Sequence, residues 1–203
     1  MPDAAIAAGA APSGGRIGPN ALLQLIPVLE DAGGPGLRDE IFAAGGVTGE
    51  VPSVVLIDEA PVAAVHQALR RQRPDAAVLA RQAGARTADY IIANRIPGPV
   101  VRLLKALPRP LAAPLLTKAI AKHAWTFAGS GRFTVAARRP LAFALQDNPV
   151  VRGEQADHPL CDWHCGVFER LYRVLVSDRL RVRETTCCAA GAPSCRFEVA
   201  PRP

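Results

Sequence analysis

Acidic residues are missing from a long internal stretch of this sequence. No Asp or Glu occurs between Tyr90 and Gln146, whereas the same stretch contains nine basic residues. They are Arg95, Arg102, Lys105, Arg109, Lys118, Lys122, Arg132, Arg138 and Arg139. The stretch should attract anions, so a carboxylate-bearing ligand, an anionic membrane surface and a solvated basic face all fit it. No aromatic-rich motif or zinc-finger spacing accompanies the charges, and no nucleic-acid partner is expected.

The sequence also lacks the hydrophobic runs of secreted and membrane-spanning chains. No uncharged apolar run approaches the roughly 18 residues that a membrane-spanning helix needs. Residues 1–15 are mostly Ala, Gly, Pro and Ser and lack the basic start of a secretory signal. We therefore expect a cytoplasmic protein, peripheral to the inner membrane if the basic stretch binds lipid, with a flexible tail at residues 1–16.

Two cofactor patterns are absent as well. We find no G-x-G-x-x-G fingerprint for a nicotinamide or flavin cofactor and no cysteine spacing of an iron–sulfur cluster. All five cysteines lie between Cys161 and Cys195. An odd number of cysteines without a signal sequence indicates reduced thiols or metal ligands rather than disulfides.

Apolar residues recur at helical spacing over residues 17–125, which predicts a helical region. The predicted helices cover residues 20–29, 37–44, 61–71, 75–95 and, interrupted by prolines, 100–124. A glycine-rich break at residues 33–36 separates the first two. The spacing also places His66 and His123 on apolar helix faces.

After residue 131 the apolar period changes from helical to two. Residues 132–145 predict a β-hairpin, residues 160–176 a helix, and residues 180–186 and 195–199 two further strands. This order predicts an α+β fold, in which the helical N-terminal half packs on a small antiparallel sheet. We expect an α+β domain at residues 126–203, and residues 17–203 as one compact unit.

A cluster of metal-ligand residue types is predicted in this α+β domain. Glu184 shares its strand parity with Leu180 and should therefore face inward, where a carboxylate needs a partner. Cys187 ends the same strand, Cys195 opens the returning strand, and Cys161 begins the preceding helix. Three thiolates and a carboxylate suit a closed, structural, tetrahedral zinc site.

Other interpretations of these residues remain open. Buried cysteines are often simply small core residues, with Glu184 satisfied by hydrogen bonds. Cys165 or Cys188 could replace one of the proposed ligands. His158 and His164 flank Cys161 and could do the same, although exposure is expected for both.

The cysteine-bearing segment resembles a known family. The residues that carry the resemblance are Cys161, Trp163, Gly166, the Glu184-Thr-Thr-Cys187 motif, Gly191 and the Cys195-Arg-Phe motif. They are similar to the C-terminal signature of the vinyl-4-reductase domain family, over about residues 129–199. The resemblance implies zinc held by a Cys, the Glu of an E-x-x-C motif and two further Cys, beside a ligand pocket. It also implies a fold similar to trafficking-complex subunits with a buried acyl pocket.

The whole chain, with its helical first half and its segment from His123 to Gly131, resembles the J-protein family of bacteriochlorophyll biosynthesis, long named 4-vinyl reductases. This resemblance implies a magnesium tetrapyrrole ligand, chlorophyllide- or protochlorophyllide-like, held in an apolar pocket between the helices and the sheet. We expect a carrier or accessory protein for biosynthetic enzymes. The alternatives are a divinyl-tetrapyrrole reductase with an external reductant and a small-molecule sensor domain.

Four residues are candidates for pigment binding. His66 and His123 could each ligate the magnesium, while Trp125 and Phe127 could stack on the macrocycle; core packing is the alternative for all four. Basic side chains between Arg95 and Arg139 would meet a propionate. A homodimer is expected only by analogy with the family.

Overall fold

Eight α-helices and six β-strands form the part of the chain that the computed structural model describes, residues 14–53 and 56–202. The helices are α1 (Asn20–Leu23), α2 (Ile26–Ala44), α3 (Glu59–Gln72), α4 (Ala76–Asn94), α5 (Gly98–Ala106), α6 (Arg109–Lys122), α7 (Trp125–Ala128) and α8 (Asp162–Leu175). The strands are β1 (Arg16–Ile17), β2 (Ile57–Asp58), β3 (Arg132–Arg138), β4 (Leu141–Gln146), β5 (Leu180–Thr186) and β6 (Cys195–Pro201). The α+β class is confirmed.

The helices follow the predicted segments with two differences. The predicted glycine break is a kink within α2, where Gly33 and Gly34 leave the helical conformation and Gly34 has φ of 76°. The predicted segment 100–124 is two helices, α5 and α6, because the chain is extended at Leu107 and Pro108.

The start of the described chain was not predicted correctly. Arg16, assigned to the flexible tail, forms β1 with Ile17 and pairs with β2 in an antiparallel ribbon. Residues 1–13, the rest of that tail, lie outside the described residues. Backbone pairing therefore orders the chain from Arg16 onward.

Strands β3 to β6 form one antiparallel sheet in the order β3-β4-β6-β5. Side chains alternate between buried and more exposed along β5 and β6, because one sheet face packs on the helices and the other faces outward. Strand β5 lies at an edge of the sheet, and β6 separates it from the predicted β3–β4 hairpin.

Helix α8 lies between the sheet and helix α4. The two helices cross closely at Gly84 and Gly166, where a Cβ atom would stand 2.1 Å from Trp163 O and 2.2 Å from Arg81 O respectively. Only glycine allows this approach. An ion pair between Arg81 and Glu169, with 2.7 Å between Nη2 and Oε2, joins the same helices.

Aromatic side chains fill the space between α8 and the sheet. The ring of Phe168 lies 5.2 Å from that of Phe143, 5.4 Å from that of Phe197 and 5.4 Å from that of Phe127. All four side chains are buried. The predicted apolar pocket between the helices and the sheet is therefore occupied by the protein's own core in the described residues.

None of the described helices has the length and apolar character needed to cross a membrane.

Candidate metal centre

The four predicted metal ligands meet at one point of the fold. Cys161 immediately precedes α8, Glu184 lies on β5, Cys187 follows β5, and Cys195 begins β6. All four side chains are buried, and one ligand atom from each lies within 4.8 Å of the other three. The structure thus brings together the four residues that the sequence pattern singled out.

A bulge in β5 decides which way Cys187 points. Glu184 pairs with Phe197, whereas Thr186 pairs with Arg196, so one residue of β5 is left without a partner. Thr185 and Thr186 are both exposed, and Cys187 is buried again. Without this extra residue, strict alternation would turn Cys187 away from the core.

The distances between the sulfur atoms fit a tetrahedral metal site. Cys161 Sγ lies 3.4 Å from Cys195 Sγ and 4.0 Å from Cys187 Sγ, and the latter two atoms are 3.8 Å apart. A tetrahedron with Zn–S bonds of about 2.3 Å has edges of about 3.8 Å. The cysteines are free thiols, far from disulfide geometry.

Hydrogen-bond donors surround the sulfur atoms. Asn148, which is buried, donates from Nδ2 to Cys161 Sγ at 3.2 Å and to Cys195 Sγ at 3.6 Å. The backbone N–H of Cys188 also donates to Cys195 Sγ, at 3.4 Å. Sequence reasoning missed Asn148, because its place beside the sulfurs depends on the turn after β4.

The charge of the cluster calls for a cation. Burial raises the pKa of Glu184 to about 8 and raises that of the Cys161 thiol. Hydrogen bonds from Cys161 and Cys195 lower the pKa of Cys187. Glu184 Oε2 accepts from the N–H of Cys161 at 2.7 Å, but its buried Oε1 has no hydrogen-bond partner among the described residues. A divalent cation would satisfy that oxygen and offset the thiolate charges.

The other cysteines lie outside this cluster. Cys165 is buried on α8, and burial raises its pKa to about 12. Cys188 is half-buried, with Sγ 3.9 Å from Leu145 O. Of the two neighbouring histidines, His158 is exposed as predicted. His164, predicted to be exposed, is buried instead, with Nε2 3.3 Å from Phe127 O.

The residues predicted to bind pigment are not brought together. His66 is buried, with Nε2 3.1 Å from Ala21 O, and Phe127 belongs to the aromatic core. His123 and Trp125 are exposed, contrary to the expectation that His123 faces inward, because the helix ends before it. Two buried and two exposed side chains do not line one pocket.

A groove of about 620 Å³ adjoins the metal cluster. It lies between the start of α8, helix α4 and the edge strand β5. Its charged lining includes Arg81, Asp162, Glu169, Arg181, Arg183, Glu184 and Glu198. Because Glu184 belongs to both features, an occupant of the groove would lie next to the metal cluster.

Asn148 provides a test of the hydrogen bonds to sulfur. Asn148→Asp keeps the Oδ1 atom that accepts from Val150 N but replaces the donor group with a second carboxylate oxygen. We expect zinc affinity to fall by about 10- to 100-fold, measured by competition with a chromophoric chelator. Asn94→Asp, the same change at an exposed position, is the control. Equal zinc affinities for the two variants would contradict the assigned role.

Comparisons with known proteins agree with this architecture. The model of the vinyl-4-reductase domain matches residues 141–201, which include all four clustered ligands, so the C-terminal part is a domain of this type. The chain is 55% identical to the bacteriochlorophyll synthase 23 kDa chain of Cereibacter sphaeroides, over 92% of this chain and 91% of that protein. It is 45% identical to the protein of the same name from Rhodobacter capsulatus, over 92% and 88% respectively. The chain belongs to the family of bacteriochlorophyll synthase 23 kDa chains.

A solved structure shares the fold at low sequence identity. A mutant of an Fe(II) unliganded H-NOX protein from K. algicida superposes with a TM-score of 0.57 and 10% identity, over 92% of this chain and 97% of that one. Because the identity is so low, the likeness concerns the fold alone.

Proposed function

We propose that this protein acts in bacteriochlorophyll biosynthesis as a carrier or accessory protein that binds a magnesium tetrapyrrole intermediate. The observation that carries the proposal is the 55% identity, over nine-tenths of both chains, to a protein named as one chain of bacteriochlorophyll synthase. Such a name describes a component of a larger synthase, which fits a protein that serves other biosynthetic enzymes.

In this proposal the metal cluster holds one structural zinc ion. Cys161, Glu184, Cys187 and Cys195 would supply all four ligands, leaving no open position for substrate or water. The zinc would then join the start of α8 to the β5–β6 hairpin. Its contribution is to hold one wall of the adjoining groove in place.

The groove beside the cluster is the proposed pigment site. Arg181 and Arg183 line it and are exposed on the edge strand β5, where they can donate to a propionate of the macrocycle. Its volume of about 620 Å³ lies within the range of roughly 300–1,000 Å³ of small-molecule sites. An open groove also suits a carrier, because the ligand can leave without unfolding the core.

Binding is tested by titrating the purified protein with magnesium protoporphyrin IX and following its absorption spectrum. We expect a spectral shift with the free acid and weaker binding of the dimethyl ester. Arg181→Ala and Arg183→Ala should each weaken binding of the acid by about 1.5–3 kcal/mol, the value of a charge-assisted hydrogen bond. Arg179→Ala, an exposed arginine outside the groove, is the control. No spectral shift with the wild type would overturn the proposal.

The same preparation separates a carrier from a reductase. Divinyl pigment incubated with the protein and reduced nicotinamide should be recovered unchanged if the protein is a carrier. Formation of monovinyl product would replace the carrier proposal with a vinyl reductase that uses an external reductant.

A further inference from the structure

We propose that helices α5 and α6 form a docking surface for an anionic lipid membrane. Five of the six large apolar side chains that are exposed in the described residues lie between Val100 and Trp125. The same stretch contains no acidic residue. Exposed apolar side chains in a purely basic surround are the composition of a helix that lies in a membrane interface.

The outer face of α6 shows this composition along one line. Leu111, Leu115, Lys118 and Lys122 follow one another at spacings of four, three and four residues, so they share one side of the helix. Both leucines are about half exposed, at 56% and 49%. The core-facing side is a different line, formed by Ala112, Leu116 and Ile120, which are buried. The outer leucines are therefore not needed for packing within the chain.

Helix α5 repeats the arrangement next to α6. Leu104 is its one buried residue and faces the core, while Leu103 is 53% exposed. The exposed Arg102 and Lys105 lie on either side of Leu103 around the helix. Long basic side chains placed around an apolar one can reach lipid phosphates while the leucine enters the acyl boundary.

Charge complementarity identifies the occupant as an anionic lipid surface. The nine basic residues of the stretch have no acidic neighbour in sequence between Tyr90 and Gln146, so their charge is not offset locally. The negative surface of a bilayer attracts such clusters, and each basic residue near it raises partitioning about five-fold. An acidic partner protein is the competing occupant, and vesicles of defined composition distinguish the two.

The test is flotation of the full chain with vesicles of phosphatidylcholine mixed with phosphatidylglycerol, and with vesicles of phosphatidylcholine alone. We expect binding to the anionic vesicles that weakens as salt is raised, and little binding to the neutral ones. Failure of the wild type to float with anionic vesicles, or equal binding to both kinds, would overturn the proposal. The first of these results would leave an acidic protein as the occupant.

Two pairs of variants separate the basic and apolar contributions. Lys118→Glu with Lys122→Glu should lower binding to anionic vesicles by at least about 25-fold. Its control is Arg71→Glu with Arg179→Glu, the same charge change at exposed positions outside this surface. Leu111→Ser with Leu115→Ser should lower binding by at least about 10-fold, with Val78→Ser, exposed at 57% on α4, as its control. Equal losses in variants and controls would contradict the assignment, and circular dichroism verifies that each variant is folded.

Discussion

Replacing Cys187 with serine is expected to remove zinc from the protein and to unfold much of its C-terminal half. Cys187 has neighbours at 3.8 and 4.0 Å among the cluster sulfurs, and it follows the bulge that joins β5 to the metal site. Serine is a poor zinc ligand at neutral pH, so one of the four ligands is lost. Apparent zinc-binding free energies of structural sites are about 10–16 kcal/mol, comparable with the whole stability of a domain at about 5–15 kcal/mol.

Metal analysis and thermal unfolding check this expectation together. The wild type should contain about one zinc ion per chain, and a strong chelator should lower its unfolding temperature. Cys188→Ser is the matched control: it is the adjacent residue with the same chemical change, but its Sγ contacts Leu145 O instead of the cluster. A folded Cys187→Ser protein with the wild-type zinc content would show that the cluster is only a group of core cysteines. Chelation tests the same proposal if this variant is insoluble.

Gly166→Ala is expected to destabilise the protein by about 3 kcal/mol or more. Within an ordinary helix this change would stabilise by up to about 1 kcal/mol, because alanine is the better helix former. Here the added methyl group would stand 2.2 Å from Arg81 O and 3.0 Å from Arg81 C, both backbone atoms of α4. Backbone atoms cannot rotate away, so the steric cost decides the sign and α8 must move.

Denaturant unfolding of Gly166→Ala and Gly36→Ala measures the difference. Gly36 is also helical, but nothing lies within 4 Å of the position its Cβ would take. Gly36→Ala should therefore be neutral or slightly stabilising. Because α8 begins directly after Cys161, Gly166→Ala should also weaken zinc binding. Wild-type stability of Gly166→Ala would show that the close approach of α4 and α8 relaxes at little cost.

Local patterns in the sequence account for most of the secondary structure. The change from helical to alternating periodicity marks where the sheet begins, and the apolar stripe that includes Val62, Val65 and Leu69 is buried in α3. The end of α6 was harder to predict, and His123 was assigned to an apolar face although the helix stops before it. Periodicity carries little information about the residue at which a helix ends.

The metal cluster divides between what sequence and what tertiary structure determine. Strand parity by itself determined that Glu184 faces inward, because that alternation is a local property of the backbone. The inward turn of Cys187 depends on the bulge, and the place of Asn148 depends on a turn that comes before α8 in the chain. Both are settled by pairing between distant segments, which no local pattern encodes.

The pigment site shows the same division. Histidine and aromatic residues near the middle of the chain suggested a pocket by their chemistry, and helical spacing alone could not tell whether a side chain faces a cavity or its own core. Phe127 packs against Phe168, and His66 bonds to Ala21 O, so the core consumes both. The groove beside β5 exists only because strand order leaves that edge beside α8. Sequence determined the elements and the ligand types, whereas packing between distant elements decided which spaces stayed open.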